Sequence, residues 1–213
     1  MGRVLLENRM EEHWLSRKTR VVMLAALAVI ISCGQVMAQD IADAGRKPWS
    51  VTFWGGWGTD GDIEDIPGIN SNFEKSWFAG IGLSREIVRM GDDFTWEIEA
   101  IAVRHLGWQR HWEGDLAIGL RWTDPPWNGK IRSSLALATG VSLASRLPPL
   151  EETFDPPTKK FLQYLALEAT FSSANRSGLE YVLRLHHRSA AFGLYGTDDG
   201  GSNFLALGIR KRF

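Results

Sequence analysis

The sequence predicts an all-β fold, an eight-stranded antiparallel transmembrane β-barrel with a side-chain-filled interior. Apolar and polar residues alternate with a period of two over most of the chain, and helical periodicity is scarce. The alternating runs match the roughly ten residues that a tilted membrane strand needs. The connections between them differ in length in a regular way. Eight strands enclose just enough space for side chains, so we expect a filled barrel without a pore.

Before the strands, the first 38 residues predict an export signal. A basic segment at 17–20 precedes an apolar run at 21–32, which is too short to span a bilayer comfortably. Small residues at 36–38 fit signal-peptidase cleavage after Ala38. Residues 39–213 then form the outer-membrane β-barrel domain.

Alternatives to this export signal stay open. Residues 30–33 resemble a lipoprotein box in which Cys33 is lipidated, and Met10 is an alternative start of the chain. Because Cys33 is the single cysteine, the chain has no internal disulfide. The net charge of −1 argues against a nucleic-acid partner, and 213 residues suffice for one ordinary domain.

The eight predicted strands follow one another along the mature chain. They are placed at 49–58, 76–87, 94–105, 112–123, 130–143, 161–172, 179–189 and 202–213. One face of each strand is apolar, as at Phe94, Trp96, Ile98 and Ala100 in the third. The other face carries charges and glycines, among them Glu97, Glu99, Arg121, Glu168, Glu180, Arg184, Arg210 and Arg212. A soluble sandwich buries the apolar face, whereas a membrane barrel turns it to lipid and pairs the charges inside.

Connection lengths favour the membrane barrel. Those after strands two, four and six are short, and those after one, five and seven are longer; the third-to-fourth connection is a short exception. Outer-membrane barrels have short periplasmic turns and longer outer loops. The chain also ends on Phe213, like outer-membrane barrel proteins. An interfacial girdle is expected from tryptophans near strand ends, namely Trp49, Trp54, Trp57, Trp77, Trp96, Trp112, Trp122 and Trp127.

A histidine and a serine interrupt the apolar face of the seventh strand. His187 and Ser189 share the parity of Tyr181, Leu183 and Leu185, so both face lipid at the outer end of the strand. A histidine within hydrogen-bond reach can activate a serine hydroxyl as a nucleophile. On the last strand, Asn203 also faces lipid near this pair and can orient the imidazole. Head-group depth also tolerates such residues without any catalytic role.

The stretch "HHRSAAFGLYGTDDGGSNFLALGIRKRF" resembles the end of the PagL-type lipid A 3-O-deacylases. This resemblance implies an outer-membrane enzyme that hydrolyses the 3-linked ester of lipid A, with lipopolysaccharide and outer-membrane lipid as partners. The family's catalytic histidine and serine match His187 and Ser189. Its third member, a glutamate, matches Asn203, and its asparagine after the serine matches Ala190. Outside the last hairpin the resemblance is one of architecture.

Asparagine at 203 can orient a histidine but supplies no charge to stabilise an imidazolium. Asp198 or Asp199 is an alternative third member. The backbone N–H groups of Ala190 and Ala191 are candidates for the oxyanion hole. This chemistry needs no metal and no cofactor.

The sequence is compatible with three functions. The first is a lipid A deacylase, and the second is a catalytically inactive barrel of the same family with a structural or interaction role. The third is a secreted or periplasmic β-protein that binds an apolar ligand. A homodimer is left open.

The acidic segment at 59–65 lacks the full ligand series of a calcium loop, so a solvated loop is favoured. His105 and His111 flank the third-to-fourth connection, where interfacial histidines are favoured over a metal pair.

Overall fold

The computed structural model describes residues 47–59, 72–151, 158–173, 178–197 and 200–213. Several predictions from the sequence lie outside the described residues. They concern the signal peptide at 1–38 with cleavage after Ala38, the start at Met10, lipidation of Cys33, the acidic segment beyond Thr59, and Asp198 and Asp199.

Eight antiparallel strands close into one barrel, which confirms the predicted fold class. They are β1 (Trp49–Thr59), β2 (Phe73–Met90), β3 (Phe94–Gly107), β4 (Trp112–Trp122), β5 (Ile131–Ala144), β6 (Phe161–Ser173), β7 (Leu179–Ser189) and β8 (Gly201–Arg212). Each strand pairs with its neighbours in sequence, and β8 pairs back with β1. The described residues contain no helix long and apolar enough to cross a bilayer.

The strand β2 is the one whose bounds differ most from the sequence prediction. At its start, Phe73 pairs with Thr59 beyond an irregularity in β1. At its end, the pairing with β3 continues past a second irregularity between Glu86 and Val88. Such bulges break the alternation of inward and outward side chains, although the hydrogen-bonded pairing continues beyond them. The strand predicted from the alternation is therefore too short at both ends.

The two ends of the barrel differ in their connections. One end holds the strand termini at Trp49 and Arg212 and the connections at 91–93, 123–130 and 174–178. The opposite end, called the loop end below, holds the connections at 60–72, 108–111, 145–160 and 190–200. This is the arrangement that the sequence predicts, including the short third-to-fourth connection.

Large apolar side chains cover the outside of the barrel. Those exposed on the strands include Phe53, Ile81, Leu83, Ile98, Leu116, Leu137, Leu167, Leu183, Leu207 and Ile209. A water-soluble protein rarely exposes an apolar surface of this extent, whereas a membrane barrel presents it to lipid. The pattern therefore disfavours the secreted or periplasmic ligand-binding alternative.

One member of the predicted tryptophan girdle lies inside the barrel instead. Trp54 is 5% exposed, and the Arg184 guanidinium lies 4.2 Å from its ring centroid. Glycines on the facing strand make room for it, since a Cβ at Gly82 would lie 2.3 Å from the Trp54 ring. A bulky ring beside glycines fits inside a narrow barrel. The sequence prediction placed all of these tryptophans on the outer surface and so missed the inward position of Trp54.

Charged side chains fill the middle of the barrel. The Glu168 carboxylate accepts from Arg121 Nη2 at 2.7 Å, from Arg210 and from Arg184, all on different strands. Arg121 also donates to Glu97 at 2.9 Å, and Arg184 pairs with Glu99 at 3.0 Å. The predicted pairing of charges inside the barrel is thus confirmed.

An aromatic cluster lies nearer the loop end. The rings of Phe78 and Phe204 lie 5.3 Å apart, and His186 lies 5.3 Å from Phe78. Tyr164 and Trp54 belong to the same buried cluster. These side chains fill the interior behind the part of β7 that carries the candidate site.

Candidate active site

The candidate site lies on the outer face of the barrel where β7 reaches the loop end. In the β7 ladder, His187 stands opposite Leu165 of β6 and Asn203 of β8. Two residues further, Ser189 stands opposite Gln163 of β6 and Gly201 of β8. Side chains of directly opposite residues are within contact distance, so the register decides the partners of both residues.

His187 and Asn203 contact each other as the sequence suggests. His187 Nδ1 lies 2.6 Å from Asn203 Oδ1. Because a carbonyl oxygen only accepts, Nδ1 carries the proton in this arrangement and Nε2 keeps its lone pair. His187 therefore has the tautomer that a general base needs.

The Ser189 hydroxyl has a partner that the sequence does not suggest. It donates to Gln163 Oε1 at 3.3 Å, and Gln163 Nε2 donates in turn to Thr139 Oγ1 at 3.0 Å. Ser189 and His187 are on the same face, two residues apart, so their backbones are roughly 6–7 Å apart. The Ser189 hydroxyl is therefore directed to the carboxamide on β6, and among the described residues no hydrogen bond joins it to His187.

A row of polar side chains thus crosses the apolar outer face at the loop end. It consists of Asn203 on β8, His187 and Ser189 on β7, Gln163 on β6 and Thr139 on β5. Sequence reasoning missed Gln163 and Thr139. The signal was available, since each interrupts an outward apolar run, as at Phe161, Leu165 and Leu167 around Gln163.

The backbone N–H groups of the two oxyanion-hole candidates differ in whether they are already hydrogen-bonded. The Ala190 N–H donates to Gly200 O at 3.1 Å, so the ladder of the β7–β8 hairpin occupies it. In this structure the Ala190 N–H is therefore not free to bind an oxyanion. Within the part of the chain that the structure describes, the N–H of Ala191 makes no hydrogen bond. Ala191 remains a candidate, and the N–H of Phe192, which sequence reasoning missed, is in the same condition.

A left-handed turn directly follows Ser189. Ala191 has φ 50°, Phe192 has φ 55° and Gly193 has φ 83°. Non-glycine residues pay roughly 1–2 kcal/mol each for this conformation. The turn closes with hydrogen bonds from Leu194 N to Ala191 O and from Tyr195 N to Ala190 O. Strain of this kind concentrates at functional sites.

Apolar groups surround the polar row. The Phe192 side chain is 98% exposed, and Leu194 is also exposed. Within the row, Asn203 is buried and His187 and Ser189 are half-buried, and Leu185 beside them is buried. The site is therefore accessible from the apolar outside of the barrel.

On the inner side, the loop at 145–160 is tied to the same strands. Glu151 accepts from Ser202 Oγ at 2.7 Å and from Thr158 Oγ1 at 3.3 Å, and it lies 3.5 Å from Arg188 Nε. Burial raises the pKa of Glu151 above its ordinary value, although Arg188 opposes this. These contacts connect Glu151 to the end of β7 and the start of β8 on the inner side of the barrel.

The two histidines expected at the membrane interface are inside the barrel. His105 is 1% exposed and His111 is 2% exposed, and their rings stack at 4.2 Å. Burial and the neighbouring His105 lower the pKa of His111 to about 3. The expected interfacial position is wrong for both histidines. His105 belongs to the alternate residues of β3 whose side chains point inward, and His111 in the short connection is buried against its ring.

Comparisons with known proteins bear on the fold. The crystal structure of the outer membrane enzyme PagL matches with a TM-score of 0.52 and 16% identity, over 76% of this chain and 99% of that chain. Neisserial surface protein A matches with a TM-score of 0.47, 11% identity and coverage of 78% and 97%. The N-terminal β-barrel domain of Pseudomonas aeruginosa OprF matches with a TM-score of 0.46, 9% identity and coverage of 79% and 98%. No family model and no curated protein matches the sequence. The chain therefore has the architecture of an outer-membrane β-barrel.

Proposed function

We propose that this barrel is an outer-membrane serine hydrolase that removes the 3-O-linked acyl chain from lipid A in the outer leaflet. The observation that carries the proposal is the 2.6 Å contact between His187 Nδ1 and Asn203 Oδ1, on the outer face beside Ser189. This contact holds a base on the outer face of the barrel, where most of the outward side chains are apolar. The resemblance of the last hairpin to the PagL-type deacylases supplies the substrate class.

The chemistry follows from the roles of these groups. Ser189 Oγ attacks the ester carbonyl carbon while His187 Nε2 takes the hydroxyl proton. The N–H groups of Ala191 and Phe192 stabilise the resulting oxyanion. Collapse breaks the ester bond, and the imidazolium returns its proton to the leaving 3-hydroxyl of the lipid. A water molecule then hydrolyses the acyl-enzyme by the same base and releases the fatty acid.

The surroundings suit a substrate that stays in the membrane. The exposed Phe192 and Leu194 extend the apolar surface of the strands beyond Ser189. An acyl chain lying against this surface remains in an apolar environment while its ester reaches the polar row. Transfer of the ester into an aqueous cleft is then unnecessary.

The test is mass spectrometry of lipid A from cells that produce either the wild-type chain or Ser189→Ala. We expect the wild type alone to remove one 3-hydroxyacyl chain. Ser172→Ala, at the other end of the barrel, serves as the matched control and should behave as wild type. Heat-modifiable gel migration confirms that each variant is folded. Equal deacylation by Ser189→Ala would refute the proposal.

A second candidate is a catalytically inactive barrel with a structural or interaction role. The hydrogen bond from Ser189 to Gln163 favours it, because the hydroxyl is directed away from the base. Gln163→Leu separates the two candidates. A hydrolase should gain activity several-fold, since its serine loses a competing acceptor. An inactive barrel should show no deacylation with or without the substitution.

A further inference from the structure

A buried cluster of carboxylates and histidines occupies the barrel interior at the loop end. It consists of His105 on β3, Glu113 and Asp115 on β4, His186 on β7 and His111 in the β3–β4 connection. Each is at most 3% exposed. The hydrolase chemistry on the outer face uses none of them, so the cluster requires its own explanation.

Asp115 is the member whose burial is hardest to explain. Among the described residues, no hydrogen bond of ordinary geometry reaches either of its carboxylate oxygens, although the Ser142 hydroxyl and the Glu113 carboxylate lie close to them. A buried carboxylate is strongly disfavoured unless it is paired, protonated or bound to a metal. A second carboxylate, Glu113, lies beside it, so a cation bound between the two would remove the repulsion between their charges.

We propose that Glu113, Asp115 and His186 bind one divalent transition-metal ion of the zinc or cobalt class inside the barrel. One ligand atom from each residue lies within 4.8 Å of the others. Two ligands on one such ion are at most roughly 4.4 Å apart, because each bond is about 2.0–2.2 Å long. Small side-chain movements therefore bring the three ligands around one ion, and water completes the coordination.

The contacts of Glu113 fit this assignment. Its Oε1 accepts a hydrogen bond from His186 Nε2 at 2.7 Å, so a metal ion bound between these two atoms would replace the proton of that bond. Its other oxygen accepts from Arg188 at 3.2 Å and contacts His105 Nε2 at 2.9 Å. Hydrogen bonds to the second oxygen of a ligating carboxylate fix its orientation towards a metal.

A second set, His105, His111 and Glu113, also has ligand atoms within 4.8 Å. The rings of His105 and His111 are stacked with an interplanar angle of 9°. The lone pairs of imidazole lie in the ring plane, so two parallel stacked rings do not aim at one ion. The set with Asp115 is therefore the one that we assign.

Such an ion would join β4 and β7, which are not neighbours in the barrel. Glu113 and Asp115 lie on β4, and His186 lies on β7, next to His187 of the outer face. Binding therefore fixes the strand that carries the candidate nucleophile and base. The metal site does not depend on hydrolase activity, and either proposal can fail without the other.

The experiment uses the full chain folded in detergent micelles, stripped with EDTA and titrated with Co²⁺. Cys33→Ser in every sample removes the only thiol. We expect one Co²⁺ per chain, visible d–d absorption and competition by Zn²⁺. Asp115→Asn and His186→Gln should each weaken binding by roughly 100-fold. His111→Asn is the matched control and should stay within about threefold of wild type.

Asp115→Asn keeps the size of the side chain and removes the buried charge, so it should fold; heat-modifiable migration checks this. Three results would overturn the proposal: no stoichiometric Co²⁺ binding by the wild type, unchanged binding by a folded Asp115→Asn variant, or loss of binding in His111→Asn alone. In the first case, the two carboxyl groups share a proton instead.

Discussion

The hydrogen bond between His187 and Asn203 settles the tautomer of the imidazole but supplies no charge. An amide holds Nε2 ready as a base, whereas a carboxylate in the same place would also stabilise the imidazolium that forms during reaction. In the proposed reaction, Asn203 would therefore orient the imidazole of His187 without stabilising its charged form.

This difference gives a prediction for residue 203. Asn203→Glu should raise the kcat of lipid A deacylation by at least about tenfold, because the added charge stabilises the imidazolium. Asn203→Leu should lower it by roughly 10²-fold, since the tautomer is no longer fixed. Both are measured on purified lipid A in detergent. A lower rate in a folded Asn203→Glu variant would contradict the proposed role of Asn203.

At the scale of elements, the β7–β8 hairpin decides where Ser189 lies. Ser189 pairs with Gly201 across the ladder, and Gly201 has φ 154°. A Cβ at Gly201 would lie 2.2 Å from Arg188 O, which is backbone and has little room to move. The close approach of the two strands at this point therefore requires glycine.

We therefore expect Gly201→Ala to separate the strand ends beside the site. The cost should be about 1–3 kcal/mol of folding free energy, as for other overpacked positions. Displacement of Ser189 by about 1 Å should reduce deacylation by roughly 10²-fold. Unfolding in urea and lipid A turnover measure the two effects.

Gly129→Ala is the control for this substitution, because a Cβ there has no heavy atom within 4 Å. It should leave stability and turnover near wild type. Normal stability and turnover in Gly201→Ala would show that the hairpin does not need this close approach.

At the scale of the whole molecule, Glu168 connects the walls of the barrel. Its carboxylate contacts guanidinium groups on β4, β7 and β8. Removing one partner of a buried charge network leaves the remaining charges uncompensated, which costs more than the pair contributes.

Glu168→Gln should accordingly destabilise the barrel by about 3–5 kcal/mol. Urea unfolding in lipid vesicles, followed by tryptophan fluorescence, measures the change. Asp92→Asn, at an exposed carboxylate of the β2–β3 turn, should change stability by less than about 0.5 kcal/mol. Equal stability of Glu168→Gln and the wild type would mean that the interior arginines find other partners.

The sequence alone determined the number of strands, their order and the face on which most residues lie. Period-2 alternation fixes these because successive side chains in a strand point to opposite sides. It placed His187, Ser189 and Asn203 on one outer face and the charges of Glu168 and Arg184 inside. It also predicted which connections are long.

Only the tertiary structure decided which side chains meet. Parity does not state the register between strands or the rotamer of a side chain, so the bond from Ser189 to Gln163 and the engagement of the Ala190 N–H were hidden. The inward Trp54 depends on glycines of another strand. The approach of Asp115 and Glu113 on β4 to His186 on β7 depends on closure of the barrel, which brings together residues far apart in sequence.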